Sequence, residues 1–172
     1  MKPELMKIRQ LQKDDGLRLN EFFEHLTEKD KYYFYPHPLD IEHAKQLAEA
    51  SGDEDNIRFV ATEEAHGKEE IIGYTYIARV EKSEDWSFGI AIRGDSRSSG
   101  LGTKLLSSLI EKAKTNGVKR IKLTVHKENE LARRLYEKYG FRITGEFITK
   151  KQKVQYRMLL TFKSETKKSE IL

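Results

Sequence analysis

Residues 97–102, Arg97-Ser98-Ser99-Gly100-Leu101-Gly102, decide how this chain is read. They join two patterned segments. Before them, WSFGIAI at 86–92 is an apolar run of strand length. After them, Leu101, Leu105, Leu109 and Ala113 recur on one face of a helical period that ends at Asn116-Gly117. Where a strand passes through small residues into a helix, the first N–H groups of the helix lack partners and lie at the positive end of its dipole. Phosphates bind such a place. Glycine permits close approach and unusual backbone angles, while Arg97 and Lys104 add positive charge. Two familiar phosphate loops are excluded. The dinucleotide fingerprint GxGxxG fails because Leu105 occupies its third glycine position. The P-loop GxxxxGK(S/T) fails because Gly94 and Gly100 are one residue too far apart and no Gly-Lys-Ser/Thr follows. Alone, the turn also suits a connection that binds nothing.

The next strand–helix junction narrows the choice. It reads Val125-x3-Asn129-x2-Ala132-x2-Leu135-Tyr136-x3-Gly140-Phe141. Together the two segments resemble the GNAT superfamily of acyl-CoA-dependent N-acyltransferases. Arg97, Gly100 and Gly102 match that family's (Gln/Arg)-x-x-Gly-x-(Gly/Ala) pyrophosphate motif, and 129–141 match its Asn…Ala…Leu-Tyr…Gly-Phe pattern. The resemblance covers residues 70–162; over 1–56 only the order of helices and strands agrees. One departure stands out. Many relatives have Arg-Gly-x-Gly-x-Gly, often after a proline, whereas Ser98 replaces the first glycine here and Arg93-Gly94 occupies the proline region.

The resemblance implies an α/β (α+β) fold of one domain, 1–162, with a polar C-terminal tail at 163–172. Its mixed, mostly antiparallel central sheet would be flanked by helices and splayed between the fourth and fifth strands, 86–92 and 120–126. It implies acetyl-CoA as co-substrate and no metal. Backbone N–H groups of Ser98, Ser99, Gly100, Leu101, Gly102 and Thr103 would hold the pyrophosphate beside Arg97. Ile90, Ala91 and Ile92 would pair with the peptide-like pantetheine arm, and an N–H near Ile92 would face the developing oxyanion. Asn129 would bond the CoA arm, Ala132 would leave room for its thiol end, and Tyr136 would protonate the departing thiolate. From the residues alone, Asn129 equally suits a helix N-cap and Tyr136 a core aromatic.

The absence of cysteine removes the thiol nucleophile and thiolate metal sites. An acetyl group would then pass directly to a primary amine in a ternary complex. The alternative is a CoA-sensing or scaffold module of the same fold without turnover. The base is open between Glu84, Asp85, His126 and water; His126 titrates in the useful range. His37 and the run Tyr32-Tyr33-Phe34-Tyr35 are candidates for the acceptor site. The acceptor is a small-molecule or protein amine, and the family's frequent dimers leave a homodimer open.

Outward from these motifs, 172 residues suit one domain with its own core. Strands are expected at 5–11, 57–62, 71–80, 120–126, 141–148 and 154–162, and helices at 17–26, 41–50 and 129–139. Pro36 and Pro38 break any helix around them. The net charge of +4 comes from 32 basic and 28 acidic residues spread along the chain. With neither a concentrated basic helix nor a stacking-aromatic motif, a nucleic-acid partner is not expected. No stretch approaches the roughly 20 apolar residues of a membrane span, and the N-terminus is too polar for a secretory signal, so the expected location is cytoplasmic.

Overall fold

The structure, a computed structural model, describes residues 6–97 and 100–163. Ser98, Ser99 and nearly all of the expected polar tail lie outside the described residues. The first half carries β1 (Lys7–Gln10), α1 (Gly16–His25), α2 (Glu28–Tyr33), α3 (Ile41–Glu49), β2 (Asn56–Ala65) and β3 (Lys68–Arg79). The second carries β4 (Asp85–Ile92), α4 (Leu101–Thr115), β5 (Arg120–His126), α5 (Glu130–Lys138), β6 (Arg142–Ile148) and β7 (Val154–Thr161). The seven strands form one mixed sheet in the order β1-β2-β3-β4-β5-β7-β6.

Every neighbouring pair is antiparallel except β4 and β5, which are parallel. That parallel ladder is short. Asp85, Trp86 and Ser87 face Arg120, Ile121 and Lys122, and no further pairs follow. On their outer sides both strands remain paired, β4 with β3 as far as Ile92 and β5 with β7 as far as His126. The sheet therefore opens as a wedge at the C-terminal ends of β4 and β5, the expected splay.

Helices cover both faces. Leu106, Leu109 and Ala113 of α4 pack with Ile57, Ile77, Trp86 and Ile121 on one face. Leu19, Phe22 and Phe23 of α1 pack with Val60, Ile71 and Tyr74 on the other. Leu109 is fully buried, so Leu109→Ala would cost about 3 kcal/mol through lost contacts and the cavity left behind. β5 alternates as the sequence predicts, with Ile121, Leu123 and Val125 buried and Lys122 and Thr124 exposed.

One helix was not expected. α2 takes in the first half of the aromatic run and stops at Tyr33, before Phe34 and the prolines. A reciprocal cap starts it: the Asp30 N–H donates to the Thr27 hydroxyl, and the Thr27 N–H donates to the Asp30 carboxylate. The Thr27-x-x-Asp30 pattern is the signal that marks it. This helix supplies one wall of the cleft.

Candidate active site

A cleft of about 580 Å³ occupies the wedge. Ile90, Ala91 and Ile92 of β4 form one side, and Thr124, Val125 and His126 of β5 face them. The floor and one end come from Arg97, Gly100, Leu101, Gly102 and Thr103 at the start of α4. Asn129, Ala132, Leu135 and Tyr136 of α5 close the side beyond β5, and Lys29, Asp30, Tyr33 and Phe34 close the α2 side. Every cofactor-binding residue expected from the sequence lies on this lining except Ser98 and Ser99, which are outside the described residues.

The backbone of β4 is oriented for pairing within the wedge. The Arg93 N–H donates to the Ile72 carbonyl of β3, and the Gly89 carbonyl accepts from the Thr75 hydroxyl on that same side. Because the pleat alternates, the N–H and C=O groups of Ile90 and Ile92 point the other way, into the cleft. No strand pairs with these groups on the opened edge, although the Ile92 carbonyl accepts from the Arg97 side chain.

The α4 entrance follows from its glycines. Gly100 is the N-cap residue with φ +74°, and a side chain there would meet nothing within 4 Å but would strain the backbone. At Gly102 a Cβ would sit 3.1 Å from Ile92 Cδ1 and 3.3 Å from Leu135 Cδ2. Glycine there lets α4 approach β4 and α5 closely. The Thr103 carbonyl accepts from the Tyr139 hydroxyl at 3.1 Å, which ties the first turn of α4 to the end of α5. Lys104 is exposed and is not on the cleft lining.

The second motif acquires physical roles. Asn129 caps α5, its side-chain oxygen accepting from the Ala132 N–H at 3.4 Å, and it also lines the cleft. Gly140 ends α5 with φ +93°. Phe141 is buried and tilts against the Phe88 and Tyr136 rings, each with centroids 5.9 Å away. Tyr136 meets Phe88 edge-on at 5.4 Å, so its ring position is fixed by packing. Its hydroxyl makes no hydrogen bond among the described residues, and burial raises its pKa well above the ordinary phenol range. A tyrosine in this state keeps its proton, and the residue lines the cleft.

The charged groups divide less predictably. Arg97 is ion-paired with Asp30 of α2 and also donates to the Ile92 carbonyl at 3.3 Å, a cross-cleft tie that sequence reading missed. Burial would raise the Asp30 carboxyl, but the Thr27 N–H and Arg97 outweigh it and hold its pKa below the usual value. Glu84 and Asp85 do not reach the cleft. They pair with Lys119 and Arg120 at the closed end of the β4–β5 ladder. His126 does reach it, with Nε2 beside the Gln155 side-chain amide at 3.2 Å. Of the aromatic run, Tyr33 and Phe34 line the cleft and Tyr32 stacks near His126. His37 turns instead into the core between Phe23, Phe34 and Tyr74.

A sheet wedged open beside a glycine-capped helix N-terminus leaves a cleft between β4 and β5. The chain belongs to the acetyltransferase (GNAT) family, whose family model matches residues 19–141. It is 35% identical over 60 residues to GCN5-related N-acetyltransferase 6, chloroplastic, of Arabidopsis thaliana, a match covering 34% of this chain. The match spans only 21% of the length of that relative. Among solved structures, a GNAT-family acetyltransferase from Streptococcus pneumoniae superposes with a TM-score of 0.76 at 24% identity, covering 92% of this chain and all of that one. A Salmonella typhimurium protein solved with its cofactor acetyl-CoA gives a TM-score of 0.75 at 20% identity, covering 92% of this chain and 95% of that one. Both likenesses establish the fold. No described helix is long and apolar enough to cross a membrane.

Proposed function

We propose that this protein transfers an acetyl group from acetyl-CoA to a primary amine, directly, within a ternary complex. The observation that carries this reading is the convergence of three groups on one cleft: the glycine-capped start of α4 at Gly100, the β4 edge at Ile90 and Ile92 that no strand pairs, and the protonated Tyr136. In this reading the N–H groups of residues 98–103 bind the pyrophosphate, and the β4 edge pairs with the pantetheine amides. The Ile92 N–H faces the carbonyl oxygen as it becomes an oxyanion. Asn129 holds the CoA arm as well as capping α5, and Ala132, one turn before Tyr136, leaves room for the sulfur.

Tyr136 donates its proton as the carbon–sulfur bond breaks. Burial makes it a reluctant acid until a thiolate develops beside it, so the transfer is coupled to departure of the leaving group. The chain has no cysteine to form an acyl-enzyme through a thiolate, which favours direct attack by the amine.

The test is release of CoA from acetyl-CoA in the presence of a panel of primary amines, with mass spectrometry of the product. An acetylated amine formed only with active protein supports the reading. A protein that binds acetyl-CoA but acetylates no amine, and whose Tyr136→Phe variant is unchanged in every property, would be a CoA sensor instead.

A further inference from the structure

We propose that Glu128, Tyr32, Tyr33 and His126 form a subsite that captures the acceptor as an alkylammonium ion and takes its first proton. The proposal rests on the acetyltransferase reading and deepens it. Three carboxylates line the cleft, those of Asp30, Glu128 and Glu130. Asp30 is committed to Arg97 and to the Thr27 N–H. Glu130 faces Arg133 and Arg134 at 3.6 and 3.9 Å. Glu128 has no cation within 4.0 Å among the described residues; instead it accepts from the Tyr32 hydroxyl at 3.2 Å. A hydroxyl thus holds one carboxylate in place with its charge uncompensated.

The rings beside it suit a cation. The Tyr32 ring lies 4.6 Å from the His126 ring at a tilt of 34°, and Tyr33 meets His126 edge-on at 5.4 Å. Aromatic faces and a carboxylate together attract an ammonium group and give nothing comparable to a neutral amine. His126 has one nitrogen committed and one free: Nε2 contacts Gln155, its register partner on β7, and Nδ1 is buried with no partner among the described residues. Burial lowers its pKa, Lys153 lowers it further, and Glu128 opposes both, so the ring is neutral at pH 7 and able to accept.

The proton sequence balances. With the Gln155 carbonyl oxygen turned to accept from Nε2–H, an exchange of amide atoms that a simple flip achieves, Nδ1 carries the lone pair. Nδ1 is covered, so the transfer requires the ring to move out of its packing against Tyr32 and Tyr33; the ammonium then gives one proton to Nδ1, and the resulting imidazolium lies near Glu128. The amine lone pair forms the C–N bond, the C–S bond breaks, and the thiolate takes the Tyr136 proton. The second nitrogen proton returns to Tyr136 through water, and His126 releases the first to solvent.

A matched pair of isomers tests this: 2-phenylethylamine, an ammonium ion at neutral pH, and 4-ethylaniline, which is neutral there. Binding to the full chain saturated with CoA is followed by the His126 ring resonances. The ammonium should bind about tenfold more tightly, the combined scale of one exposed charge pair and one cation–π contact. Glu128→Gln should erase that preference. His126→Gln, in which binding is followed by calorimetry instead, should keep it but remove the acidic limb of kcat/KM, which falls as pH drops through the lowered His126 pKa. Equal binding of the two isomers, or a preference retained in Glu128→Gln, overturns the subsite. An acidic limb retained in His126→Gln overturns the proton transfer. Acetyl-CoA affinity is measured first on the same preparation: its absence contradicts the acetyltransferase reading, whereas intact affinity without an ammonium preference contradicts the subsite alone.

Discussion

The two ends of the cleft are built from different materials. In the proposed reading one is the cofactor end and the other the acceptor end, and the cofactor end is backbone. Gly100 caps α4, Gly102 lets the helix close on β4, and Ile90 and Ile92 offer peptide groups. The acceptor end is side chains: Asp30 and Tyr33 from α2, His126 and Glu128 from the end of β5 and the turn beyond it. Backbone chemistry is the same for every sequence, so only a few glycines and spacings are constrained. Side-chain chemistry differs in every chain that changes its substrate. The first end should therefore respond to substitution in affinity for CoA, and the second in selectivity among amines.

The largest effect should come from the backbone end. In the proposed reading, Gly102→Glu brings a carboxylate close to the pyrophosphate, its stem starting between the ends of Ile92 and Leu135. Like-charge contact costs several kcal/mol, so CoA affinity should fall on the order of 10³-fold. Calorimetry measures it, with circular dichroism confirming the fold. Gly102→Ala, whose methyl meets only the ends of Ile92 and Leu135, should lose far less. If both bind CoA normally, the anion site is elsewhere and the comparison fails.

Next in size is the boundary between the two ends. Tyr136→Phe removes a hydroxyl that nothing else in the described residues bonds, while the ring keeps its packing on Phe88 and Phe141. The rate constant should fall on the order of 10²-fold or more, with CoA affinity and melting temperature nearly unchanged. A core role alone would give the reverse: an intact rate and a shifted melting temperature.

The smallest effect sharpens the acceptor end. Asp30→Asn breaks the tie to Arg97 and weakens the cap of α2. The amine KM should rise several-fold, CoA affinity should stay within about twofold, and the melting temperature should drop by about 2–4 °C for a cap worth about 1 kcal/mol. The pH dependence has a definite sign. Because the folded Asp30 pKa is depressed, its contribution to stability is present above the ordinary carboxylate range. It is lost as pH falls through the folded value, and an acid titration of the melting temperature should show that loss shrink in Asp30→Asn.

The same contrast explains what could be read from the sequence. The Arg97–Gly102 turn and the Asn129–Phe141 pattern were legible because their constraints are local: a helix must start at Gly100, and α5 must end at Gly140. The β4–β5 splay came with them. Glu84 and Asp85 were misleading, since adjacency to a strand does not say which of its ends opens; these two lie at the closed end. Asp30 and Glu128 were invisible as site residues because each gains meaning only through a partner far along the chain, Arg97 for one and Tyr32 for the other, 67 and 96 residues away. The helix that brings Asp30 and Tyr32 there was written in Thr27-x-x-Asp30, a short pattern easily passed over beside the prolines.

The central claim is that the wedge between β4 and β5 is an acetyl-CoA site. Thermal unfolding with saturating acetyl-CoA, compared with equal concentrations of ATP and NAD, tests it most directly. A ligand that binds only the folded chain at about 100 times its Kd stabilises it by about 2.7 kcal/mol, which for a chain of this size raises the melting temperature by about 5–10 °C. Acetyl-CoA should produce that rise, and ATP and NAD much less. No rise with acetyl-CoA, or an equal rise with all three, would contradict the account.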